Sequence, residues 1–186
     1  RFKQTVDLTG FAPGETRERN LTWLDAGSVN DLSADGKSFV FTNWGKGIDY
    51  SVYLGKTDGS LPVRIGDGRA GRISPDGKWV ISELLSQNQV VILPTGAGEL
   101  KKLDFQGIER VVGINWLPDS KQIIFVGNET GKPRRTFIKN LETGVQRPIT
   151  PEGVRGGPVS PDGKSFLCNA DGKPSVCSLD ENTLHR

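Results

Sequence analysis

Histidine, cysteine and methionine are nearly missing from this 186-residue chain, which holds one, two and none of them respectively. A structural zinc site needs about four nitrogen or sulfur ligands at set spacing, and a Ser-His-Asp triad needs a positioned histidine. The single histidine, His185, and the pair Cys168 and Cys177 assemble neither, so no metal and no cofactor is expected. No apolar run approaches the roughly 20 residues of a membrane span, and no signal-peptide pattern is seen. This segment is therefore not expected to insert into a membrane. An excess of one charge is missing too. The 24 basic and 22 acidic residues leave a net charge of +2, which sets up no strong field for nucleic acid or anionic lipid. The absence of methionine, with the opening Arg1-Phe2-Lys3, predicts a piece excised from something longer.

Turn-forming residues are what the chain has in plenty. It carries 24 glycines and 11 prolines, well above the usual combined share of about 12%. Hydrophobic residues make up 34% and charged residues 25%, a composition that folds. At about 100–200 residues per domain the length suits one domain, two at most.

Those turns recur at a fixed period. Four segments align: Leu32-Ser-Ala-Asp-Gly-Lys37, Ile73-Ser-Pro-Asp-Gly-Lys78, Trp116-Leu-Pro-Asp-Ser-Lys121 and Val159-Ser-Pro-Asp-Gly-Lys164. Their aspartates, Asp35, Asp76, Asp119 and Asp162, are spaced 41, 43 and 43 residues apart. An apolar residue precedes each by three, and an apolar pair follows at four and five: Phe39-Val40, Val80-Ile81, Ile123-Ile124 and Phe166-Leu167. Pro presets φ, Asp bonds the backbone ahead, and the glycines Gly36, Gly77 and Gly163 accept positive φ. A second turn follows in each copy, as in Thr57-Asp58-Gly59 and Pro94-Thr95-Gly96.

Between the turns lie Val-, Ile-, Phe- and Thr-rich runs without helical period. In the second copy the reading is strand A at 70–74, B at 78–84, C at 89–93 and D at 99–104. Four antiparallel strands per 40–45 residues is the arithmetic of an all-β propeller blade. Glycines cluster on strand A at Gly71, Gly113 and Gly156-Gly157, which fits close backbone approach near a propeller axis. The expected organisation is one partial propeller over 1–186, part of a larger ring. It has a half blade at 1–24, with a strand C at 3–9 and a strand D at 16–22, and blades at 25–67, 68–107, 108–150 and 151–186. Open blade edges predict self-association.

The Ser-Pro-Asp-Gly-Lys turn followed by alternating hydrophobics resembles the WD40-like, or PD40, repeat of the TolB-type β-propellers across residues 25–186. Within that group three stretches are most similar to the C-terminal propeller of acidobacterial membrane-anchored serine/threonine kinases. They are Ala12-Pro-Gly-Glu-Thr-Arg-Glu-Arg-Asn-Leu-Thr-Trp-Leu-Asp25, Asp31-Leu-Ser-Ala-Asp-Gly-Lys37 and Tyr53-Leu-Gly-Lys-Thr-Asp-Gly-Ser60. The resemblance implies an extracytoplasmic, periplasmic sensor or protein-binding module. It carries no catalytic residue onto this chain, since neither a Gly-rich phosphate loop nor a His-Arg-Asp loop is present.

Each Asp-Gly turn offers one carboxylate followed by Lys37, Lys78, Lys121 or Lys164, against the several that a calcium loop needs, so the turns read as structural. A sialidase Asp-box would need one more residue between Asp and Gly. Arg69 and Arg155 lie seven residues before their turn aspartates, Arg110 lies nine before, and Arg72 falls within strand A. A D-to-A connection sits at one mouth of a propeller channel, so these side chains either bind carboxylate or phosphate there or form a solvated rim with Asp31, Asp67, Glu109 and Glu152. Trp116 aligns with core positions, Trp79 follows a turn lysine, and Trp44 falls on a B–C loop, where it either serves a binding surface, as exposed Trp often does, or packs against a neighbouring loop. A four-residue loop at 171–174 would set Cys168 opposite Cys177, either bridged or as two buried thiols. Three functions fit, none with chemistry in this segment. They are a sensor module gating a kinase, a TolB-like scaffold for a protein or peptide partner, and the substrate-screening half of a prolyl-oligopeptidase-type peptidase whose Gly-x-Ser-x-Gly domain lies elsewhere.

Overall fold

The computed structural model describes residues 7–23, 27–44 and 50–179 together with the strand Leu184–His185. The chain divides into two compact units, Arg1–Leu103 and Asp104–Arg186. In the first, β1 (Thr9–Gly10) pairs with β2 (Arg19–Asn20). Then come two four-stranded antiparallel meanders: β3 (Gly27–Leu32), β4 (Ser38–Asn43), β5 (Ser51–Lys56), β6 (Val63–Asp67), and β7 (Arg69–Ile73), β8 (Trp79–Leu84), β9 (Gln89–Pro94), β10 (Lys101–Leu103). The second unit holds β11 (Ile108–Trp116), β12 (Gln122–Glu129), β13 (Arg135–Asn140), β14 (Gln146–Pro148), and β15 (Arg155–Val159), β16 (Ser165–Ala170), β17 (Lys173–Ser178), β18 (Leu184–His185). In each four-stranded sheet, spatial order equals chain order, so each is a blade with strands A to D.

The A–B turn is closed by its own aspartate. Asp35, Asp76 and Asp162 each accept, on one Oδ1, the hydroxyl of the serine two residues back at 2.6 Å and the amide of the lysine two residues on at 3.0–3.1 Å. The same serine hydroxyls accept the amides of Ser38, Trp79 and Ser165 at 2.9–3.0 Å. The turn glycines Gly36, Gly77 and Gly163 lie at φ 70–73°, where a Cβ is strained. The third copy lacks both serine and glycine. There Ser120 takes φ 56°, and Asp119 accepts the Lys121 and Gln122 amides and the Gln122 side chain instead. The residue after strand C then closes on this turn in all four copies: Thr57, Thr95, Leu141 and Leu179 donate their amides to Lys37, Lys78, Lys121 and Lys164 carbonyls.

In the first three blades strand B is buried on both faces, which is why it reads as a continuous apolar run. In β4, Phe39 and Phe41 join Leu21, with Leu8 and Tyr53 packed alongside, and the Phe41 and Tyr53 rings stack at 5.3 Å. Val40 points the other way, into a cluster with Ala70, Ile73, Val80, Val91 and Leu93 of the next blade. The second unit repeats this: Ile124 shares a core with Val154, Phe166, Cys168, Ala170 and Cys177. Each such side chain contributes about 1.5–3 kcal/mol. Polar bonds tie neighbouring strands A: Asp31 accepts the Ile73 amide at 2.9 Å and Arg72 Nη1 at 3.2 Å, and Asn115 donates to the Gly157 carbonyl at 3.2 Å.

Several boundaries differ from the sequence reading. Strand A of the second blade begins at Arg69, because Gly68 turns the chain in one residue at φ 100°. Strand D covers only Lys101–Leu103, the stretch that pairs with β9. In the half blade, strand D shortens to Arg19–Asn20, and Arg19 folds back onto Glu15 at 2.8 Å. The start of its strand C, at 3–6, lies outside the described residues. The last B–C hairpin has a two-residue turn, Asp171-Gly172, rather than four, with φ of 54° and 76°. Positive φ at both positions is the type I′ turn that matches strand twist. Cys168 therefore faces Ser175, and Cys177 faces Phe166. The two sulfurs bridge along the diagonal, with Cα atoms 6.0 Å apart.

Removing the carboxylate from one turn should be felt by the whole blade. Asp76→Ala loses two accepted hydrogen bonds, each worth about 0.5–1.5 kcal/mol, and is expected to lower the unfolding free energy by about 1–2 kcal/mol in urea melts. Reducing the Cys168–Cys177 bridge, which closes a short loop, should lower it by about 2–3 kcal/mol. The Ser33 hydroxyl and Lys37 amide hold the Asp35 carboxyl below its ordinary range, and the Ser160 hydroxyl and Lys164 amide do the same for Asp162. Burial opposes ionisation of Asp119, but the bonds from Gln122 and Lys121 outweigh it. These carboxylates stabilise the fold fully above the unfolded aspartate pKa of about 3.9, and that share is lost as pH falls through their lower folded values. Urea midpoints measured from pH 6 to pH 2 should bend downward only below about pH 4.

Candidate binding end of the blades

In an antiparallel blade, the start of strand A, the B–C loop and the end of strand D meet at one end, opposite the Asp-Gly turns. Arg69 and Arg155 open strands β7 and β15, Arg110 is the third residue of β11, and Trp44 follows the last residue of β4. All four occupy that end. Arg72 does not: it stands one residue before the close of β7, near the Asp-Gly turn, and its guanidinium pairs with Asp31 at 3.2 Å.

In the first unit, Arg69 lies across from Glu83 in the ladder, and its Nη2 sits 2.6 Å from Glu83 Oε2. Arg64 pairs with Asp67 one blade earlier. Between these pairs is a cleft of about 210 Å³, lined by Tyr50, Asp67, Gly68, Glu83 and the short turn Leu84–Gln87. Gly68 shapes it. Its amide donates to the Tyr50 carbonyl at 2.8 Å, and a Cβ there would stand 2.5 Å from Ser82 Oγ and 2.7 Å from the Glu83 carbonyl oxygen. Trp44 is exposed at the same end. A second cleft, of about 330 Å³, lies between Pro13, Lys37, Lys56 and Asp58, and Lys56 there donates to Ser38 Oγ.

In the second unit the arginines stand differently. Arg110 lies beside Asn128 and Arg155 beside Asn169 in their ladders. Both side chains are exposed, and neither has a carboxylate partner among the described residues. The nearby acids are engaged. Glu109 accepts Asn128 Nδ2 at 2.7 Å, and Glu129 is paired with Arg135 and Lys132, the Arg135 bond holding its carboxyl below the ordinary range. Arg134 joins this end through its carbonyl, which accepts the Gly153 amide at 2.9 Å, as Tyr50 does for Gly68. The sequence reading missed Tyr50 and Arg134. Their signal was position: each immediately precedes a strand C. It also placed Arg69, Arg72, Arg110 and Arg155 in one class, whereas salt bridges divide them into two paired and two unpaired guanidiniums. Trp116 is buried and Trp79 carries the Lys101 ammonium 4.2 Å above its ring.

Solved structures share this arrangement of blades. TolB from Acinetobacter baumannii is 24% identical over 90% of this chain, with a TM-score of 0.70, and the chain spans 45% of its length. A putative TolB from Agrobacterium tumefaciens is 19% identical over 91% of the chain and 65% of its own length, with a TM-score of 0.68. The fold is a β-propeller. Prolyl endopeptidases carry it too, at 12% identity and a TM-score of 0.63 over 92% of this chain and 31% of theirs. The chain thus spans less than two thirds of each of these proteins. No protein-family model matches it, and no curated protein does. Among the described residues, no group of three metal-ligating side chains forms.

Gly68→Ala tests the cleft. The added methyl group must displace backbone at a positive-φ position, and overpacking of this kind costs about 1–3 kcal/mol. Urea melts should show that loss, whereas Gly77→Ala, whose Cβ meets nothing within 4 Å, should lose less.

Proposed function

We propose that this propeller segment is a non-catalytic binding module that takes a protein or peptide partner by its acidic groups at the B–C end of the blades. The observation that carries the reading is the pair Arg110 and Arg155, exposed on neighbouring A strands with no carboxylate partner among the described residues. A guanidinium fork suits a carboxylate bidentately, and half-buried Arg134 adds a third cation at the same end of this unit. The module's place is outside the cytoplasm, as the sensor domain of a membrane-anchored bacterial serine/threonine kinase. The Cys168–Cys177 disulfide supports an oxidising compartment, and the likeness of residues 12–25, 31–37 and 53–60 to kinase-linked propellers supports the parent. A TolB-like periplasmic scaffold uses the same surface without the kinase. A peptidase filter draws support from the prolyl endopeptidase likeness but needs a catalytic domain on other residues, since propellers host many functions.

The test is fluorescence anisotropy with a labelled glutamate-rich dodecapeptide and a lysine-rich control. The wild-type chain should bind the acidic peptide only, more weakly as salt rises, and Arg110→Ala with Arg155→Ala should lose at least tenfold in affinity. Equal binding of the two peptides, or an unchanged double variant, overturns the reading. The gene flanking this segment decides the parent: a kinase domain and one apolar span of about 20 residues are expected upstream.

A further inference from the structure

Each blade places a lysine directly after its A–B turn: Lys37, Lys78, Lys121 and Lys164. Two of them are compensated. Lys78 Nζ lies 3.9 Å from Asp76 Oδ2, and Lys121 Nζ lies 3.1 Å from Glu142 Oε1. Lys37 and Lys164 make no ion pair among the described residues. The first blade differs from the fourth by a second cation. Across the B–C ladder, the residue after the turn lysine faces Lys56 in the first blade, but Pro94, Asn140 and Ser178 in the others. Lys56 Nζ donates to Ser38 Oγ at 2.8 Å, a neutral partner that leaves its charge in place.

Lys37 and Lys56 line one cleft of about 330 Å³, with Ala12, Pro13, Thr57 and Asp58. Its walls are held by the protein's own bonds. Arg19 clasps both Glu15 carboxylate oxygens at 2.8 Å and donates Nη1 to the Asp58 carbonyl at 3.0 Å, which ties the half-blade turn to the first blade. Thr57 donates its hydroxyl to the Gly36 carbonyl at 2.9 Å and its amide to the Lys37 carbonyl at 3.1 Å. A site fixed in advance loses less free energy to ordering when a ligand arrives. The acids are engaged as well. Glu15 is neutralised by Arg19, and Asp58 Oδ1 accepts the Ser60 hydroxyl at 2.6 Å and the Ser60 amide at 2.8 Å. Those two bonds hold the Asp58 carboxyl below its ordinary range, and its Oδ2 makes no bond among the described residues. A ligand in this cleft meets two ammoniums and one ionised carboxylate.

We propose that this cleft binds a small phosphorylated polyol, with its phosphoryl group between Lys37 and Lys56 and one of its hydroxyls on Asp58. Lysine recognises phosphate as a point charge. A phosphate monoester, whose second pKa is about 6, brings two negative charges to the two lysines, where a carboxylate brings one. Asp58 selects further. It repels a bare phosphate, whereas a hydroxyl beside the phosphoryl group makes it the acceptor of a charge-assisted hydrogen bond. The cleft lies at the turn end of its blade and uses none of the arginines at the B–C end, so it does not depend on the acidic-partner reading.

The test titrates the isotope-labelled 186-residue chain with glycerol phosphate at low salt and follows the amide chemical shifts, with glycerol and inorganic phosphate as comparisons. Shifts should saturate and centre on residues 36–38 and 56–59. Lys37→Gln or Lys56→Gln should weaken binding about tenfold, while Lys78→Gln, at the same turn position of the second blade, should leave it unchanged. Asp58→Asn keeps an acceptor for Ser60. It should weaken glycerol phosphate and tighten inorganic phosphate, a split that a loss of folding cannot produce. Shifts that never saturate overturn the inference, as does equal affinity for glycerol phosphate and inorganic phosphate. So does an Asp58→Asn variant that tightens both, or a Lys37→Gln, Lys56→Gln double variant that binds as the wild-type chain does.

Discussion

Everything in this molecule hangs on one carboxylate oxygen per blade. By accepting a serine hydroxyl and a lysine amide at once, the turn aspartate fixes how strand A enters strand B. Strand side chains alternate, so a slip of one residue would exchange the two faces. Each face has its own partner: Phe39 and Phe41 look back to the half blade while Val40 looks forward to the second. The turn thus decides which residues meet across neighbouring blades, and the hydrophobic clusters follow from it. The third copy shows that the carboxylate is the essential part. Serine and glycine are both replaced there, and Asp119 recruits Gln122 to do the serine's task.

The same repeat produces two electrostatically different ends. Near the turns, Asp31 and Arg72 serve cohesion, joining one strand A to the next through an ion pair and a backbone amide. At the opposite end the residues are freer, since connections there vary in length and composition. Arg69 is compensated by Glu83 because the ladder places a glutamate across from it. Arg110 and Arg155 face asparagines, which carry no charge to compensate theirs. A single substitution opposite the strand start therefore separates a structural arginine from one open to a partner.

The blade architecture was legible because a turn motif, an apolar pattern and a constant period all repeat. Period, strand order and the aligned core positions from Val40 to Ile124 come straight from that agreement. The arginine site was legible only as a cluster. Whether a guanidinium is free depends on the cross-strand residue, and pairing register requires knowing where strand A begins. Gly68 moved that start by one residue and brought Arg69 opposite Glu83. The cysteine hairpin misled for a related reason. The run Asn169-Ala-Asp-Gly-Lys-Pro174 suggests a wide loop, yet Asp171-Gly172 alone makes the turn and the flanking residues stay in the ladder. Tyr50 and Arg134 matter through backbone carbonyls, which no side-chain pattern reveals.

The disulfide sits in the fourth blade, between its strands B and C. Repeat architectures behave nearly one-dimensionally, each unit stabilised by its neighbours, so a blade can open as a unit by itself. Tying β16 to β17 covalently, through two buried sulfurs in the core shared with the third blade, raises the free energy of that opening. The bridge acts as a rivet: strands B and C of this blade must leave as one piece, and so return in register.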